Sequence, residues 1–117
     1  MINLKPNVVS ALKNDTTLTG LLGGPRIYFQ VAPNADEFPR ITYYEQDNRP
    51  ALYGDSQELG SELIFVVDVW SKASTTAIAD AVNGVMASLG FMREFAGDLY
   101  EEDTGVFHKN MRYTILR

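Results

Sequence analysis

The side chains with reactive potential in this 117-residue chain are few: one histidine (His108), a carboxylate inside an apolar run (Asp68), and three adjacent acids (Glu101, Glu102 and Asp103). With a single histidine and no cysteine, thiol catalysis, thiolate metal sites and sites built on two imidazoles are all excluded. A hydroxyl nucleophile activated by His108 would require a convergent set of nucleophile, base and oxyanion donors, and nothing in the spacing supplies one. His108 alternates with Asn110 and Arg112, a pattern that reads as a solvent-facing strand position. The three acids resemble a general acid/base or hard-metal cluster, but neighbours in a turn diverge and stay solvated. Gly23, Gly24 and Pro25 neither follow a strand nor open a helix, so they read as a helix stop and not as a phosphate-binding loop. Asp68 is the exception, because a carboxylate within an apolar strand must find water or a partner. Arg93, Lys109 and Arg112 are the cations placed to pair with it.

Two adjoining elements position these groups. Between Glu62 and Trp70, Leu63, Phe65, Val67 and Val69 alternate with Ile64, Val66, Asp68 and Trp70, which predicts a central strand with one core face and one partly covered face. After Trp70 the period changes. Ile78, Ala81, Val82, Val85, Met86 and Leu89 form one helical stripe, with Ser74 as the expected N-cap and Gly90 as the terminator.

Upstream, Leu4, Val8, Ala11 and Leu12 predict a helix over 3–13, with Pro6 tolerated in its first turn. Leu18, Leu21 and Leu22 add an apolar turn. A short strand is expected over 26–30, then a connection over 31–39 from which Phe38 is placed to dip into the core, then a strand over 40–46. The segment 47–60, DNRPALYGDSQELG, lacks a sustained period and reads as a long loop. Downstream of Gly90 two strands are expected, joined by the acid-rich turn 102–105. The result is one α+β domain spanning 1–117, in the order α-β-β-β-α-β-β, with an antiparallel or mixed sheet and two helices packed mainly on one face.

Composition agrees with a folded domain: 45% of residues are hydrophobic, 21% are charged, and the net charge is −5. That charge, with ten scattered basic residues, excludes a protein whose affinity comes from neutralising phosphates. No signal peptide or membrane span is predicted, which is the pattern of a soluble, unexported protein. No enzyme motif, metal site or cofactor site is identified.

The segments RIYFQVAPNADEFPRITYYE and VDVWSKASTTAIADAVNGVMASLG, and the ending GVFHKNMRYTI, resemble the tail-completion family of long-tailed bacteriophages, whose members include tail-to-head joining and tail-terminator proteins. The resemblance covers most of the chain and rests on structural signatures, chiefly the handover at Trp70, Ser71, Lys72, Ser74, Thr75 and Thr76. It implies a virion protein of the tail neck, assembled in the host bacterial cytoplasm. Such a protein caps the tail tube as a self-associated ring, often hexameric, and presents a surface to the head connector. DNA would pass through without specific binding. The alternatives are a head-completion adaptor at the same neck or, in a different class, a small-ligand-binding or hydrolase-like domain centred on Asp68. Within the ring reading, Asp47, Arg49, Leu52, Tyr53, Asp55 and Glu58 are the expected assembly contacts of the long loop, with Tyr53 as anchor. Glu101, Glu102 and Asp103 are the expected channel-facing acids, with Asp55 and Glu58 equally eligible.

Overall fold

The computed structural model describes residues 1–54 and 57–117, with the side chains of Leu52, Tyr53 and Glu58 outside the described set. Helices α1 (Lys5–Asn14) and α2 (Thr16–Leu22) lead into strands β1 (Ile27–Phe29), β2 (Arg40–Gly54) and β3 (Gln57–Ser71). Helix α3 (Thr76–Ser88) and strands β4 (Met92–Glu101) and β5 (Val106–Leu116) complete the chain. The strands form one mixed sheet in the order β1-β2-β3-β5-β4, in which β1 pairs with β2 in parallel and the other described pairs are antiparallel.

The period-2 alternation of β3 is realised. Leu63, Phe65, Val67 and Val69 are buried on one face, and they meet Met111, Tyr113 and Ile115 of β5 and Ile41 and Tyr43 of β2. Onto this face pack Val8 and Leu12 of α1, Leu18 and Leu22 of α2, and Ile78, Ala79, Val82, Val85 and Met86 of α3. The helices thus occupy one side of the sheet, and hydrophobic burial there drives the fold.

Several sequence expectations need correction. The apolar turn at Leu18–Leu22 is a separate helix, because Asp15 ends α1 and caps α2 by accepting from the Leu18 amide at 2.9 Å. Gly23 then closes α2 in the left-handed conformation, φ 77°. The N-cap of α3 is Thr75, whose side chain makes no capping bond. Ser74 Oγ instead accepts from the Thr76 amide at 3.3 Å within the joint. Phe38 stays out of the helix-side core and lies beneath cations at the sheet end.

The largest correction concerns 47–60. Its described residues, 47–54 and 57–60, form no loop: β2 and β3 remain paired through them, from Asp47↔Ile64 to Gly54↔Gln57. Register shifts between Glu45 and Asp47, Pro50 and Leu52, and Leu52 and Tyr53 break the alternation that would have revealed the strand in sequence. Because β5 ends opposite Glu62, the hairpin continues past the sheet body as a two-stranded ribbon. The molecule is accordingly elongated, 53 × 29 × 23 Å. Asn48 moors the ribbon base by donating to the Ile2 carbonyl at 2.7 Å and to Glu45 Oε1 at 2.9 Å.

Candidate functional site

The face of the sheet away from the helices carries a polar network that register alone brings together. One row across the strands is Thr42, Asp68, Asn110 and Gly97; the next is Arg40, Trp70, His108 and Leu99. Pairing directly opposite on antiparallel strands places these side chains within contact distance. Asp68 is only 6% exposed, and its Oδ1 accepts from His108 Nε2 and from Asn110 Nδ2, each at 2.7 Å. The His108 ring stacks on Trp70 with centroids 3.7 Å apart and planes 12° from parallel. Trp70 Nε1 donates to Thr42 Oγ1 at 2.9 Å.

The partners expected for Asp68 lie elsewhere. Lys109 pairs with Asp98 at 3.2 Å, Arg112 with Glu94 at 3.1 Å, and Arg93 donates to Asn83 at 3.2 Å. His108 is therefore no solvent-facing residue. It is the principal partner of Asp68, held between a carboxylate and an indole. Sequence shows that His108 and Asn110 are spaced as Asp68 and Trp70 are, but only the β3–β5 register sets one pair opposite the other.

Chemically this network is closed. The imidazole nitrogen facing Asp68 is occupied, the Thr42 hydroxyl is engaged by Trp70, and among the described residues no hydroxyl is hydrogen-bonded to His108. Among the described residues no group of three histidine or acidic side chains is arranged to hold a metal. The network instead gives the open face a rigid, half-buried polar floor.

Beside it, at the sheet end opposite the ribbon tip, lies a groove of about 400 Å³ lined by Phe38, Arg40, Trp70, Lys72, Glu101 and Thr104, among others. The Arg40 guanidinium sits 4.5 Å from the Phe38 ring centroid and 5.7 Å from that of Trp70, and Lys72 Nζ lies 5.3 Å from Phe38. Arg40 also donates to the Ala35 and Glu37 carbonyls, each at 3.0 Å, and so pins the 31–39 connection against the sheet. Lys72 donates to the Thr104 carbonyl, tying the β4–β5 turn to the strand-to-helix joint.

Glu101 ends β4, and Glu102 and Asp103 lie in that turn. Glu101, Glu102 and Asp103 are exposed, and Glu101 accepts from Thr104 Oγ1 at 3.2 Å while it lines the groove. The ribbon residues stand at the other pole. Asp47 and Arg49 are 3.6 Å apart, and Arg49 also bonds Glu62. Leu52 and Tyr53 lie on β2 and Glu58 on β3, with Tyr53 opposite Glu58 in the backbone register. Asp55 lies outside the described residues. The two sets expected from sequence are thus at opposite ends of the sheet and do not converge on one site.

On the helix side Tyr113 is buried with its hydroxyl donating to Asn83 Oδ1 at 3.1 Å, and burial pushes its pKa up to about 12 against a small opposing effect of Arg93. Among the described residues no helix is long and apolar enough to cross a membrane.

The family described as tail completion protein gp17 matches residues 6–116. Among solved structures, a chain from the virion of a native gene transfer agent particle superposes with a TM-score of 0.66 at 18% identity, covering 92% of this chain and 88% of that one. The gp17 protein of bacteriophage SPP1 superposes with a TM-score of 0.58 at 16% identity, covering 96% and 88%. At these identities the two structures establish a shared fold. No curated protein matches the chain in sequence.

Proposed function

Because the chain belongs to the tail completion protein gp17 family, a structural family of phage tails and not an enzyme family, we propose that it caps the head-proximal end of a tail tube. In this reading it does so as a ring, a hexamer, that ends tube growth and joins the tail to the head connector. The match over residues 6–116 carries the reading. The fold shared with SPP1 gp17 and with a chain of the gene transfer agent virion is consistent with it. A closed polar network, with no convergent catalytic set, argues against the hydrolase-like alternative.

The elongated shape suits a subunit that touches different partners at its two poles. The segment 47–60, whose described residues form the ribbon, is the assembly contact, reaching a neighbouring subunit or the tube. The acids Glu101, Glu102 and Asp103 face the channel, where negative charge keeps phosphates from adhering over a screening distance of roughly 8 Å at physiological salt.

A phage strain lacking this gene should accumulate complete heads together with overlong or unjoined tails. Full-length joined tails would contradict the reading, and normal tails beside leaking heads would favour a head-completion adaptor. Deleting residues 50–58 should abolish joining while the domain still folds; normal joining would remove the ribbon from the contact. An assembled ring with an uncharged or basic inner wall would refute the placement of the acids.

A further inference from the structure

We propose that the groove at the sheet end opposite the ribbon tip is a carboxylate-binding site, and that its occupant is an acidic side chain adjoining an apolar one on another protein of the assembled particle. Only the partner's location rests on the tail-neck reading; the groove's chemistry stands without it.

Two cations converge on one ring here, Arg40 at 4.5 Å and Lys72 at 5.3 Å from the Phe38 centroid. Among the described residues neither has a carboxylate within ion-pair distance, whereas Lys5, Arg26, Arg49, Lys109 and Arg112 each do. Arg40 engages a single nitrogen: Nη1 donates to the Ala35 and Glu37 carbonyls, which fixes the guanidinium before any ligand arrives. Its Nε is buried without an acceptor, and Nη2 makes no hydrogen bond among the described residues. The hydrogens of Nε and Nη2 point to one side of the guanidinium and match the two oxygens of a carboxylate. Nε is covered in the unbound chain, so a carboxylate meets Nη2 and Lys72 first and reaches Nε through a small shift of the groove wall. Lys72 Nζ gives one of its three donors to the Thr104 carbonyl and keeps two.

The lining sets the class of ligand. Phe38 and Trp70 wall a volume of about 400 Å³, room for a carboxylate and an apolar neighbour. Asp36 and Glu101 line the same groove and repel further negative charge. A single carboxylate therefore fits where duplex DNA, with one charge per about 1.7 Å of axis, does not. A second copy of this chain is poorly equipped to supply it. Among the described residues, the acids beside an exposed leucine, phenylalanine or tyrosine are already engaged: Asp98 beside Leu99 by Lys109, Glu94 beside Phe95 by Arg112, and Glu101 beside Tyr100 by Thr104.

Trp70 lines the groove and is the single tryptophan of the chain, so its emission reports occupancy directly. In the purified protein, N-acetyl-Phe-Glu amide should shift that emission saturably, and N-acetyl-Phe-Gln amide should bind about tenfold more weakly, the loss of one charge-assisted contact. Lys72→Gln, which can still donate to Thr104, should keep the parent's thermal transition and weaken the Glu dipeptide by a similar factor. Added to head and tail extracts of a strain lacking this gene, the parent protein should restore joining. Lys72→Glu, folded and self-associating like the parent by sedimentation, should not. Equal binding of the two dipeptides, or an unchanged affinity in Lys72→Gln, would overturn the site. Weaker self-association of Lys72→Glu would make the occupant a second copy, and tighter binding of a duplex oligonucleotide than of the dipeptide would make it a phosphate; each overturns the assigned partner. Failure of the parent protein to restore joining would overturn the neck reading, while the dipeptide titration would still decide the groove.

Discussion

His108 donates to the Asp68 carboxylate at 2.7 Å across the β3–β5 pair. The imidazole is held from its other side by the Trp70 ring. Removing Asp68 therefore leaves His108 and Asn110 without their acceptor on a half-buried surface. Asp68→Ala should cost about 2 kcal/mol through these stranded donors, lowering the melting temperature by about 8 °C. His108→Ala and Asp68→Ala together should cost less than the sum of the two alone, by at least about 0.5 kcal/mol, because they share one interaction. Strict additivity in denaturant titrations would show that the contact contributes nothing.

Tyr113 gives the fold an alkaline limit. Its folded pKa is raised to about 12 by burial, above the ordinary value of 10.0. Stability from the neutral phenol is thus complete below pH 10 and lost as pH rises toward 12, because the unfolded chain releases the proton first. The effect should approach 2 kcal/mol in order of magnitude. Tyr113→Phe should flatten this alkaline slope at a cost near 1 kcal/mol at neutral pH, from the lost bond to Asn83. An unchanged slope in unfolding titrations from pH 9 to 12 would assign it to other groups.

Asp15 both ends α1 and caps α2, so Asp15→Ala should destabilise by about 1 kcal/mol, and Asp15→Asn or Asp15→Ser by less. The check is equilibrium unfolding. Equal losses for all three would mean that the side-chain acceptor is not what matters.

Phe65 is fully buried at the sheet centre and meets Phe91 edge-on at 5.5 Å between centroids. Phe65→Ala should cost about 3–5 kcal/mol, enough to unfold a marginal domain. Ile64→Ala, on the opposite face of the same strand and half-buried, should cost well under half of that. Similar losses at both sites would contradict the one-sided core.

Much of this architecture is written in local pattern. The alternation from Leu63 to Val69 and the stripe from Ile78 to Leu89 identify a core strand and its covering helix, because burial imposes periods of 2 and 3.6 on any sequence that folds this way. The left-handed residues Gly23, Gly90 and Gly105 mark their turns for the same local reason, since positive φ favours glycine. The family too is legible, in the segments around Arg26–Glu45 and Val67–Gly90.

What tertiary structure decided is pairing. That 47–54 and 57–60 are paired strands and not a loop depends on register shifts that hide the alternation, and strand partners are non-local. That Asp68 meets His108 and Asn110, and not Arg93, Lys109 or Arg112, depends on which residues of β5 stand opposite β3. A shift of one residue in that register would exchange the faces of the whole strand. The open edge of β4 is likewise invisible in its own sequence. It exists because β5, the following strand, lies between β4 and β3 and leaves β4 with one neighbour.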